Sequence, residues 1–101
     1  MGTRLELQTM LETLLGSRNV YFQPPASVKM SYPAIVYSRS KIDNKHANNK
    51  VYLQHKAYRV TVIDKNPDSP IVDSVLKLPL CSFQQHYTSD NLNHDVFLLY
   101  Y

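Results

Sequence analysis

Four residues near the end of the chain form its most reactive-looking group: His86, Asp90, His94 and Asp95. Imidazole and carboxylate are ordinary ligands of divalent metals. Two histidines eight apart across a turn converge only if their strands pair in a suitable register. Ligands carried on strands must also share a face, and this spacing matches no established ligand pattern, so the group is read as polar residues flanking a turn. Asp64, Lys65 and Asp68 follow a strand-like run, where active sites often collect. No second acid is placed to partner either aspartate for acid–base chemistry. Asp64 is read as a strand-end residue bonding its turn, and Asp68 as part of a helix start. Gly2 and Gly16 are the only glycines, which excludes a glycine-rich phosphate cradle. Cys81 is the single cysteine and has no activating base in view, so it is read as a reduced, buried thiol. The expectation is a non-enzyme with no catalytic, cofactor-binding or metal-ligating residue.

Basic and aromatic residues interleave at Tyr37, Arg39 and Lys41 and again at Lys56, Tyr58 and Arg59. Strand alternation puts Tyr37, Arg39 and Lys41 on one face, opposite Val36, Ser38 and Ser40. Binders of single-stranded nucleic acid use such patterns. Tyrosine and arginine are equally favoured in contacts between proteins, and that is the reading preferred. Eight tyrosines with no tryptophan point the same way, because a ring with a polar tip suits half-buried sheet faces and subunit contacts. The net charge of +3 is mild and no lysines or arginines run together, so charge alone does not license nucleic-acid binding.

The elements that must position these residues are legible from periodicity and punctuation. The 101 residues make one domain, 44% hydrophobic and 19% charged, with a single modest core. No apolar run approaches the roughly 20 residues that span a bilayer. Glu6 and Glu12 interrupt the apolar residues of the N-terminus, so the chain is expected to be soluble and intracellular. Residues 3–15 predict an amphipathic helix with Thr3 as cap, Glu6 three residues on and Gly16 after the last turn. Its buried face is expected to hold Leu5, Met10, Leu11, Leu14 and Leu15, with Leu7 near the edge. Residues 20–23 are extended, and Pro24-Pro25 confines them to an edge strand or a lone stretch. Residues 34–42 and 51–64 predict two long strands joined by a polar tip over residues 43–50, a β-hairpin projecting beyond the sheet. A helix follows, with Asp68 or Ser69 as cap, Pro70 at its first position, and Ile71, Val72, Val75, Leu76 and Leu78 at helical spacing up to Pro79. Strands over residues 80–88 and 94–101 form a second hairpin about a turn at 89–93. The order is α-β-β-β-α-β-β, an α+β fold with helices on an antiparallel sheet.

Three blocks, NVYFQPPASVKMSYPAIVYSRS, YRVTVIDKNPDSPIVDSVLKLPLCSF and HYTSDNLNHDVFLLYY, resemble the tail terminator group of siphophages and prophages of Gram-positive bacteria, which includes head–tail joining and minor tail proteins. The resemblance runs from Asn19 to Tyr101, and the third block is its most specific part. It implies a structural protein without catalytic residue or cofactor. Such a protein assembles as a hexameric ring that caps the tail tube and docks on the filled head, with DNA passing through as cargo. It implies the host cytoplasm during assembly and the virion afterwards. Its partners would be copies of itself, the tail tube protein and a head-completion protein, with no membrane.

Ring subunits meet heterologously. On that basis Tyr37, Arg39, Tyr52 and Tyr58 are candidate intersubunit residues on the sheet. The arm over residues 41–50, with Lys41, Asp43, Lys45 and Lys50, is expected to reach a neighbour or the tube. The alternatives are a head-closure protein under the portal and, from another class, a small basic nucleic-acid-binding module.

Overall fold

The computed structural model describes residues 3–25, 27, 29–47 and 50–101, and for residues 41–56 it describes the backbone alone. The elements are α1 (Arg4–Leu15), β1 (Val20–Phe22), β2 (Ala34–Ala47), β3 (Lys50–Asp64), α2 (Pro70–Leu76), β4 (Cys81–Ser89) and β5 (Leu92–Tyr100). The expected α+β class and element order are both present.

Helix α1 begins and ends where its punctuation places it. The Thr3 hydroxyl accepts from the Glu6 amide, and Gly16 closes the helix at φ 81°, a left-handed conformation that glycine adopts without steric cost. Its buried face differs from the expected one. Leu7 and Leu11 are fully buried while Leu5 is 66% exposed. At 100° per residue Leu7, Leu11 and Leu14 stack on one stripe, and Leu5 falls on the opposite side. In α2 the cap is Ser69, whose hydroxyl accepts from the Ile71 amide, Pro70 opens the helix, and Val75 is its fully buried residue.

The five strands form one sheet in the order β1-β2-β3-β5-β4. Three of its pairings are antiparallel, but β1 lies parallel to β2, with Val20 beside Ile35 and Phe22 beside Tyr37. The sheet is therefore mixed, because the connection between Phe22 and Ala34 brings the chain back to start β2 at the same end as β1. Strands β3 and β4 run parallel with β5 between them, so α2 is a crossover over one face of the sheet. The β4–β5 turn is tighter than expected. Only Asp90 and Asn91 lie outside the strands, at φ 53° and 62°, and this pair of left-handed residues suits the twist of a two-residue hairpin.

Register puts the largest fully buried side chains of the sheet on the helix side. Tyr37 stands opposite Val60, Ile35 opposite Val62, Val60 opposite Phe97 and Tyr58 opposite Leu99. These residues, with Leu7, Leu11, Val20 and Val75, make the core. Tyr37 is its centre. Its ring lies 4.9 Å from Phe22 and 5.9 Å from Tyr58, its hydroxyl donates to Gln8 Oε1, and Arg4 Nη1 donates to that hydroxyl at 3.5 Å. Gln8 passes the connection on, donating to the Val20 carbonyl at 3.0 Å and to Glu12 Oε2 at 3.1 Å.

Burial pushes the Tyr37 phenol above its ordinary value, with Arg4 opposing the shift. The folded value exceeds the unfolded one, so the stability Tyr37 contributes is complete below a pH of about 10 and is lost as pH rises through the folded value. Tyr37→Phe is expected to cost about 1 kcal/mol by orphaning Gln8, and to soften the alkaline loss of stability. Urea midpoints between neutral and strongly alkaline pH measure both effects. An unchanged neutral midpoint would remove Tyr37 from its place as the link between helix and sheet.

Candidate functional site

The longest projection of the molecule is built by β2 and β3. Strand β5 accompanies β3 from Asp64 as far as Ala57, which faces Tyr100, and stops. Beyond that point β2 and β3 pair with one another alone among the described residues, from Ile42 opposite Lys56 to Ala47 opposite Lys50. The β3 side of this stretch, residues 50–56, at about 3.3 Å per residue makes a ribbon of roughly 23 Å. The molecule measures 49 × 23 × 23 Å with a radius of gyration of 14.4 Å. A compact chain of this length has about 13 Å, so the difference reflects the arm. The strands run further than the sequence predicts, through residues read as a polar tip. A two-stranded ribbon beyond the core needs no apolar alternation, so periodicity gives no sign of it.

The candidate contact residues divide into three groups. Tyr37 and Tyr58 are not surface residues. They are 0% and 1% exposed, enclosed by α1 and the core, and this corrects their assignment as intersubunit contacts. The physical reason is that alternation tells which residues share a face but not which face a helix covers. Arg39, one step past the cover of α1, is exposed, and its amide donates to Gln23 Oε1 at 3.2 Å. Lys41, Asp43, Lys45, Lys50 and Tyr52 lie on the arm backbone, and their side chains fall outside the described residues. A register slip between Arg39 and Lys41 interrupts the alternation there, so Lys41 does not continue the face of Tyr37 and Arg39.

A second surface went unread in the sequence. Strand β4 closes the other side of the sheet, and its residues after Cys81 are all exposed. Its nine residues, CSFQQHYTS, include no proline, lysine, aspartate or glutamate, the residues that commonly blunt a free edge. A slip between Phe83 and Gln85 is its one irregularity. Leu76, Leu80 and Phe83 are exposed where α2 passes into β4. Phe83 meets Phe97 edge-on at 5.6 Å, and the seven-residue α2 is too short to cover its outer side. Leu80 holds φ 58°, a left-handed conformation costly for a branched side chain. The weak alternation of residues 80–88 was the available signal, since an edge strand buries less of either face.

The histidines do not converge on a metal site. His86 Nδ1 lies 2.7 Å from Asp95 Oδ1, directly across the β4–β5 ladder, while His94 sits on the other face and stacks on Tyr87 at 4.7 Å. A carboxylate accepts only, so this contact puts the imidazole proton on Nδ1. Among the described residues no three of His, Cys, Asp and Glu group closely enough to hold a metal. On the helix-free face Arg59, Thr61, Gln84, Gln85, Tyr87 and Val96 line a shallow polar groove of about 380 Å³.

Cys81 is half-buried rather than enclosed, and burial pushes its thiol above the ordinary value. The reactive thiolate is correspondingly scarce at neutral pH. Iodoacetamide is expected to alkylate Cys81 several-fold more slowly in the native chain than in urea at the same pH, and equal rates would show that the thiol is not shielded. Leu80→Gly is expected to raise stability by about 0.5–1 kcal/mol by relieving the left-handed leucine, as read by urea denaturation.

No family model matches the chain, and no curated protein or solved structure matches it either.

Proposed function

We propose that this chain is a structural subunit of a phage tail-completion ring, which caps the tail tube and joins it to the head. The observation that carries the reading is the arm, a ribbon of about 23 Å that leaves the body and pairs with no other strand among the described residues. Ordering such a ribbon costs conformational entropy that its own ladder barely offsets, because an isolated two-stranded hairpin is marginal in water. Contacts with a neighbour supply the missing stabilisation.

The free edge of β4 and the apolar residues Leu76, Leu80 and Phe83 add a second, different surface on the other side of the sheet. Two unlike surfaces are what a heterologous ring requires, since each subunit presents one to the neighbour ahead and the other to the neighbour behind. The resemblance of residues 19–101 to tail terminators supplies the setting. The work is done by shape, with the sheet as wall and the arm as reach.

Deleting residues 44–49 is expected to leave the thermal midpoint within about 2 °C, because the core lies wholly in the body, and to abolish joining of tails to heads. Electron microscopy of lysates from a phage carrying the deletion reads the outcome. Overlong or headless tails support the assignment. Normal virions overturn it, and so do heads that have lost their DNA beside tails of normal length, which point to the head side of the junction.

A further inference from the structure

The pairing register changes what the charge of this chain means. Along the sequence Lys41, Lys45, Lys50 and Lys56 are isolated cations. The ladder puts Lys41 opposite Ala57 at the root of the arm, and Lys45 opposite Leu53, Lys50 opposite Ala47 and Lys56 opposite Ile42 along it. All four lie on one pair of strands, and Asp43 is the single acid of residues 41–56. Four against one gives +3 over residues 41–56, which is the formal net charge of the whole chain. The remaining seven basic and seven acidic residues (eleven less four, eight less one) cancel over the rest of the molecule.

The opposite end of the sheet leans the other way. Asp64 ends β3, Asp68 and Asp73 lie at the start of α2, and Asp90 sits in the β4–β5 turn. Asn93 pairs with Asp64 and donates to its carbonyl at 3.3 Å, which puts that turn at the same end. Lys65 and Arg18 offset these acids only in part. The long axis therefore runs from a cationic arm to an anionic base.

We propose that the arm seats duplex DNA through its phosphates, without reading sequence. A two-stranded β-ribbon is one of the two elements that the major groove of B-form DNA admits. Lysines act as point charges that displace condensed counterions, and the anionic base turns an approaching polyanion toward the arm. The inference goes beyond the ring reading, in which DNA is only cargo. It is tested on the purified chain without virion parts, so either can fail without the other.

The measurement is fluorescence anisotropy of a labelled duplex of about 20 base pairs, titrated with the full chain from about 50 to 300 mM salt. At about 0.9 per neutralised phosphate, four lysines give a slope of log affinity against log salt near −3.6, about a hundredfold loss of affinity between 50 and 200 mM. Replacing the four together (K41Q, K45Q, K50Q, K56Q) is expected to abolish binding, while Lys65→Gln leaves it unchanged. Lys45→Glu tests the same point with one substitution, weakening binding at least tenfold while circular dichroism and thermal midpoint stay as in the parent.

No binding at 50 mM salt overturns the proposal, as does a folded Lys45→Glu chain that binds like the parent. If the parent ignores DNA but self-associates in a salt-sensitive way that Lys45→Glu removes, the arm is seated by a second copy and the proposal is likewise overturned.

Discussion

The bond from the Tyr37 hydroxyl to Gln8 is the constraint on which the rest of the body depends. Gln8 is on the first helix, Tyr37 is on the second strand, and the same glutamine holds the carbonyl of Val20 on the edge strand. A buried phenol without a partner costs about 1–3 kcal/mol, so the helix has one setting over the sheet in which tyrosine and glutamine are both satisfied. That setting carries Leu7 and Leu11 onto Ile35, Val60 and Val62, and it leaves Leu5 in solvent. The ring of Tyr37 also lies between Phe22 and Tyr58, so one side chain ties together α1, β1, β2 and β3.

A body fixed in this way leaves its periphery free for other uses. The core ends level with Tyr58 and Leu99, and β2 and β3 continue past it with no further strand beside them among the described residues. None of the fully buried core residues lies on their outer halves among the described residues, and their sequence carries lysines, asparagines and histidines. On the other side, β4 is attached through β5 alone and shows water a charge-free edge. Such an edge is a hazard for a protein that remains alone and an asset for one that assembles. Both features lie outside the core that holds the body together.

Much of this was legible in particular residues. Thr3, Glu6 and Gly16 bound the first helix, and Pro70 after Asp68 or Ser69 starts the second, because caps answer to local backbone chemistry alone. Pro24-Pro25 stops β1 and marks it as an edge. Less was legible where the deciding contact is distant. The tyrosines at 37 and 58 read as contact residues, since alternation gives a shared face without saying whether a helix covers it. The sequence shows the arm as a hairpin shorter than it is, and its cations carry no weight there because they are never adjacent in the chain.

The sequence by itself determined the number, kind and order of the elements and both ends of the first helix. These depend on side chains within a few residues of one another, and their energies are local. Only the tertiary structure decided that β1 runs parallel to β2, that Tyr37 and Tyr58 lie inside, that β4 is left open, and that four scattered lysines share one pair of strands. Each of these rests on pairing between residues far apart in the chain, where closing the loop costs entropy and the gain comes from register and burial.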